Sequence, residues 1–404
     1  MMRVSTPILY SAGADRIVRQ QAEWLRTQQQ LASGRRMLAP SDDPVASAQA
    51  LRVGQSHGLG AQYAANQAAA ERALSLAESS LAEAGDTIQG ARVLLVQAAN
   101  GTLTEADRRA IALDLRARFG HLIALANARD ADGQYLFSGY QGAREPFVPT
   151  AAGAQYQGDE GERLLAVAGG RMLAVSVSGA EIFERVPAGN GRFVVVPGTG
   201  NRGSATHDGG TVEDAAAWTG HRYRVQFSVF GGATTYDVHD LTAGTTVASG
   251  RPYVPGQPIA FDGVAVAVNG APADGDLFEL EPGAVKSAFD ALHEVAALLE
   301  APLASDGAAR ARFANGITAA MQSLEQAQAR VLEVRARVGA SLAELESLQA
   351  LVSAGMLQDA SELSRLADLD YAEAASRFAA QQRALEAAQR SYVRVASLSL
   401  FDFI

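Results

Sequence analysis

Cysteine is absent from all 404 residues. That removes disulfides, thiolate nucleophiles and cysteine metal sites together. Aromatic residues are scarce at 6%, although apolar residues make up 48%, enough to bury a substantial core. An alanine- and glutamine-rich chain with little aromatic bulk favours long helices that pack through small side chains. Excess positive charge is also missing: 34 Lys and Arg stand against 44 Asp and Glu, a net charge of −10. No basic footprint therefore points to nucleic acid or anionic lipid. No apolar run reaches the roughly 18 residues of a membrane span, so no membrane insertion is expected. The opening Met1-Met2-Arg3-Val4-Ser5-Thr6 lacks the apolar core of a secretory signal peptide. The length suits two or three domains.

The order helix, β, helix organises the chain. From about Pro7 to Ala32, the residues Ala14, Ile17, Val18, Gln21, Trp24, Leu25, Gln28 and Leu31 recur at steps of three and four, one stripe of a helix. Ser33-Gly34 breaks it. Pro40-Ser41-Asp42-Asp43-Pro44 then supplies a helix-capping motif, with Asp43 as N-cap and Pro44 in the first helical position, where no donor is needed. A second helix is expected from Pro44 to about Asn100, loosened at Gly58-Leu59-Gly60, and roughly 80 Å long at the α-helical rise. Thr104 caps a third helix that should end near Asp130. From about Gln134 the period changes from 3.6 to 2. His221 to Phe230 alternates polar and apolar, and Phe193–Val196 and Val264–Val268 are further strands bounded by Gly, Pro or Asn. Helix resumes near Ala284, is interrupted from Pro302 to Gly307, and closes the chain. There Tyr371, Ala374, Phe378, Gln381, Leu385, Ala388, Tyr392 and Val395 follow a strict three-four alternation.

A search for chemistry ends without a site. Gly198-Thr199-Gly200-Asn201-Arg202-Gly203 matches G-x-G-x-x-G after a strand. A dinucleotide site also needs a helix opening in that loop and an acid about 20 residues on, and neither is present. The six histidines are scattered without helical metal-ligand spacing. His207-Asp208 and His239-Asp240 read as surface loop residues. No nucleophile elbow or P-loop appears. No catalytic residue, cofactor or metal is expected.

Several stretches resemble one family. Arg3-Val4-Ser5-Thr6, Leu31-Ala32-Ser33-Gly34-Arg35-Arg36 and Pro40 to Pro44 are similar to the N-terminal region of the flagellar hook-associated protein 3 family, within the flagellin-like superfamily. Gln134-Tyr135-Leu136-Phe137-Ser138-Gly139 resembles that family's passage from helix to head. Leu369-Asp370-Tyr371-Ala372-Glu373-Ala374 and Ser399-Leu400-Phe401-Asp402-Phe403-Ile404 resemble its close. The resemblance covers both helical arms well and the middle poorly, where the head looks longer than a typical member's. It implies a subunit of the hook–filament junction, passed unfolded through the flagellar type III apparatus. Its implied partners are other copies of itself, hook-associated protein 1, flagellin and an export chaperone. Flagellin itself and a cytoplasmic coiled-coil scaffold are the competing readings. Flagellins have Asp-Asp-Ala where this chain has Asp42-Asp43-Pro44, and they end differently.

The fold class expected is α+β: a long coiled-coil-like bundle formed by both chain termini, with an inserted β-rich head. The domains read as an N-terminal arm (1–44), rod (45–134), head (135–283), rod (284–360) and C-terminal heptad helix (361–404). The candidate assembly surface is Ile17, Gln21, Trp24, Leu25 and Leu31 on the first arm, with Tyr371, Phe378, Leu385, Tyr392 and Val395 on the last.

Overall fold

The computed structural model describes residues 6–397 apart from Ser305, with side chains described from Ser11 to Arg394. The Arg3-Val4-Ser5 stretch, the closing Ser399–Ile404 motif and the Val395 side chain lie outside the described residues. Among the described residues, six α-helices frame a β-rich middle: α1 (Thr6–Ser33), α2 (Pro44–Ala98), α3 (Glu105–Ala126), α4 (Ala288–Glu300), α5 (Gly307–Ala367) and α6 (Tyr371–Ser397). The chain divides into two compact units. One joins Met1–Ala65 to Ser347–Ile404, and the other is Asn66–Glu346.

In the second unit the core begins with a heptad on α2. Ala70, Leu74, Ala77, Leu81, Ala84, Ile88, Ala91, Leu95 and Ala98 alternate four and three residues apart, and all are buried. Small and large residues take turns, so a partner helix can approach closely. That partner is α5, whose Ile317, Ala320, Leu324, Ala327, Val331, Val334 and Val338 are buried on the same spacing. Arg335 Nε donates to Glu78 Oε1 at 2.9 Å, and a side chain on Gly85 would touch Gln328, so the two helices run antiparallel. α3 opens with a capping box, in which Thr104 Oγ1 accepts from Asp107 N–H at 3.2 Å and Asp107 Oδ2 accepts from Thr104 N–H at 3.0 Å. It packs on α4 through the Arg116–Glu300 pair and Phe119 edge-on to Phe289.

Two helix ends differ from the sequence expectation, each for a visible reason. α3 stops at Ala126 because the Asn127 amide turns outward to exchange hydrogen bonds with the Phe147 backbone at 2.8 and 2.9 Å. α4 starts at Ala288 because Val285–Lys286 pairs with Val186–Pro187 as strands. The β-rich middle has two cores. Strands Phe147–Thr150 with Gly153–Tyr156, and Leu164–Ala168 with Arg171–Ala174, form short hairpins. Phe147 and Phe183, the latter on a single π-helical turn at Ala180–Glu184, pack with tilted rings against Phe289 of α4. Beyond them, Phe193–Pro197, Leu277–Pro282, Tyr223–Phe230, Ala233–Asp240 and Thr245–Pro252 make an antiparallel five-stranded sheet. It packs on a second sheet built around Val264–Asn269, with Tyr223, Phe227, Phe278, Phe261 and Val266 in the shared core.

The glycine-rich loop at Gly198–Gly203 is a brace of this sandwich. The buried carboxylate of Asp276 accepts the N–H groups of Arg202, Gly203 and Ala273 at 2.8, 2.9 and 2.9 Å. The amides that would cradle a phosphate are thus taken by an internal anion, which would also repel one. Among the described residues, no group of three His, Asp or Glu side chains could hold a metal ion.

His207 and Asp240 correct the reading of both His-Asp pairs as surface loops: they are 4% and 6% exposed. Asp240 caps a turn through Thr242 and Ala243 N–H and meets His221 Nδ1 at 2.7 Å. His207 lies between sandwich and α5: its N–H donates to Asn315 Oδ1 at 3.0 Å, and Asn315 Nδ2 donates to the Ala205 carbonyl. Its ring nitrogens have no hydrogen-bond partner, and burial pushes its pKa down to about 4, against a smaller opposing pull from Asp208. The unfolded chain therefore takes up this proton first as pH falls. Stability should be full above the ordinary value of 6.5 and decline until about 4. Between pH 7 and pH 5 the loss attributable to His207 should be about 2 kcal/mol. Denaturant midpoints of wild type and His207→Leu at the two pH values check this, with the variant expected to lose most of the difference.

Candidate assembly surface

The first unit is two antiparallel helix pairs joined by short links. In the pair formed by α1 and α6, Trp24 stacks on Phe378 with ring centroids 5.3 Å apart. A side chain at Gly13 would meet the Tyr392 ring at 2.9 Å, and one at Gly34 would meet the Tyr371 hydroxyl at 2.8 Å. The seam on α6 runs through Ala374, Phe378, Gln381, Leu385, Ala388 and Tyr392, of which Ala374 is buried and the rest half-buried. On α1 it runs through Gly13, Ile17, Gln20, Trp24, Thr27, Leu31 and Gly34 on the same alternation. In the other pair, the start of α2 lies along the end of α5. α2 passes Gly58 and Gly60 without a break, and a side chain at Gly60 would meet Met356 Cγ at 2.7 Å.

The Leu31 to Pro44 segment ties these pairs together. Gly34, at φ +70°, ends α1 in the left-handed region that favours glycine. Backbone bonds then stitch the two links: Arg36 N–H to the Ala367 carbonyl at 2.8 Å and Leu369 N–H to the Gly34 carbonyl at 3.0 Å. Arg36 Nε and Nη2 donate to the Leu366 carbonyl at 3.1 and 2.9 Å, placing a cation on the orphan carbonyls at the negative end of α5. Asp42 Oδ2 accepts from Leu38 and Ala39 N–H and pairs with Arg26. The two backbone bonds hold its carboxyl below the usual carboxylate range. Asp43 Oδ1 accepts from Ala46 N–H at 3.0 Å, an N-cap for α2, just before Pro44 opens the helix. Asp370 caps α6 in the same way through Ala372 and Glu373.

Of the residues expected at an assembly surface, the structure brings Ile17, Trp24, Leu31, Phe378, Leu385 and Tyr392 to the α1–α6 seam. Gln21 and Leu25 lie on its flank, exposed, and Tyr371 is 59% exposed. The sequence reading passed over Gln20 and Thr27. Stepping by three and four from Ile17 and Trp24, seven residues apart, would have found both.

The family described as the bacterial flagellin N-terminal helical region matches residues 4–142. Flagellar hook-associated protein 3 of Escherichia coli K12 is 28% identical over 402 residues, 99% of each chain. That of Salmonella typhimurium is 26% identical over 401 residues, again 99% of each. Along its whole length the chain is similar to hook-associated protein 3. The crystal structure of hook-associated protein 3 from Legionella pneumophila superimposes with a TM-score of 0.74 at 28% identity, covering 78% of this chain and 98% of that one.

The contribution of the Leu31–Pro44 motif can be measured at single residues. Asp43→Ala should destabilise the first unit by about 1 kcal/mol, with Asp43→Asn nearly neutral because it keeps the acceptor. The Asp42 contribution should persist at neutral pH and fade only below about pH 3.8, as its lowered pKa is crossed. Helix content followed by circular dichroism through thermal and pH titrations reads both effects.

Proposed function

We propose that the chain is a structural subunit of the bacterial flagellum, forming the junction between hook and filament, rather than an enzyme. One observation carries the reading: among the described residues of the first unit, the only fully buried apolar side chains are Ala46 and Ala374. Ordering a backbone costs about 1–2 kcal/mol per residue, and two alanines offset little of that. The same unit leaves Val18, Leu25, Leu51, Leu59, Leu351 and Leu357 at least half exposed. Helices so under-buried gain their stability from neighbours, as subunits of a tube do when copies add through heterologous contacts. The neighbours of this reading are other copies of the chain, hook-associated protein 1 on one side and flagellin on the other, after export with a chaperone. Flagellin as the identity is disfavoured because the relatives matched across both arms carry the hook-associated protein 3 name.

Leu385→Asp tests the mechanism. Leu385 sits on the seam between Phe378 and Tyr392, so a carboxylate there removes its burial and strands a charge beside α1, costing about 2 kcal/mol or more. The variant should be exported at the normal level, with an unchanged melting transition in the second unit, while cells bear hooks and shed flagellin into the medium. Arg383→Glu, on the exposed side, should be close to silent. Filaments on Leu385→Asp cells that withstand shear as well as wild type would refute the role of the seam.

A further inference from the structure

In the second unit, a cavity of about 340 Å³ lies where the turn between α2 and α3 meets the start of α5. Leu103, Phe313, Ile317 and Met321 supply apolar walls, and Arg108 is the buried polar group among them, only 8% exposed. Three partly buried arginines of this unit have acids: Arg116 has Glu300, Arg335 has Glu78 and Arg330 has Glu181. Arg108 has none among the described residues, and no carboxylate lines the cavity. Its Nε is buried without a hydrogen-bond partner, its Nη1 reaches the Leu103 carbonyl only at 3.4 Å, and the guanidinium lies 5.9 Å from the Phe313 centroid. A buried cation without a counter-charge is costly. Here the imbalance opens onto a space large enough for a small molecule, with exposed Arg310 also lining it.

We propose that this cavity binds a small amphiphilic carboxylate, its apolar body against Phe313 and Ile317 and its carboxylate on Arg108. The guanidinium would present the free Nε–H and an Nη–H side by side to the two carboxylate oxygens, the geometry for which arginine is suited. A straight chain of about ten carbons is of suitable size, so decanoate is the probe, with decanol as its uncharged counterpart.

The test uses the full-length protein, calorimetric titration and ligand-observed NMR, with both probes kept below their aggregation limits. Decanoate should bind at least about tenfold more tightly than decanol. Arg108→Met, which keeps the bulk of the side chain, should bring decanoate down to the decanol level and leave decanol unchanged. Ile317→Trp, which fills the space, should weaken both. Circular dichroism verifies that each variant is folded. Equal binding of the two probes, decanoate binding unchanged in Arg108→Met, or no binding of either probe at millimolar concentration would each overturn the proposal.

Discussion

Burial is what holds a helix pair in water, and this chain distributes it very unevenly. Every large aliphatic or aromatic side chain that is fully buried among the described residues lies between Leu74 and Leu345. Within that span the α2 and α5 heptads close on each other, and the aromatic cluster at Phe147, Phe183 and Phe289 anchors the β-rich middle to α4. A unit of this kind meets its own entropy cost. The residues on either side of it do not bury enough to do so.

The α1–α6 seam has the same heptad geometry with weaker contents. Gln20, Thr27 and Gln381 occupy positions that Leu, Ile or Val take on α2 and α5. The amide oxygens of Gln20 and Gln381 and the indole N–H of Trp24 are buried without hydrogen-bond partners among the described residues. Polar groups at such positions fix register at a cost in stability. The Leu31–Pro44 motif offsets part of that cost locally, through two interlink backbone bonds and the capping of α2, α5 and α6. Its conformation is specified in detail, while the helices it joins remain under-buried. That combination suits a subunit whose arms must be correctly shaped on arrival and become stable only among neighbours.

Much of this was legible in the sequence, and the exceptions have physical causes. The helix–β–helix order, the capping role of Asp43 and Pro44, and the α6 seam follow from spacing and cap chemistry alone. The α2 heptad is longer than that of α6, yet it was hidden because alanine fills both its seam and its outer face, so apolar contrast around the helix is weak. On α1 the apolar residues Val18 and Leu25 drew attention away from Gln20 and Thr27, because a seam that mixes polar and apolar residues is marked by period and not by hydrophobicity. His207 looked like a loop residue beside Asp208; its burial depends on Asn315, 108 positions away, which no local pattern reveals. The cavity at Arg108 is likewise defined by two helix starts far apart in sequence.

The account rests on the claim that the first unit is held by its neighbours and the second by itself. Amide hydrogen exchange on dilute, unassembled full-length protein compares the two directly. The buried stretches of α2 and α5 from Ala70 to Ala98 and from Ile317 to Leu345, and the strands of the sandwich, should be strongly protected. α1 and α6 should exchange orders of magnitude faster, and gain protection when the same subunit is isolated within intact flagella. Protection of α1 and α6 in the dilute monomer equal to that of the second unit would contradict the account.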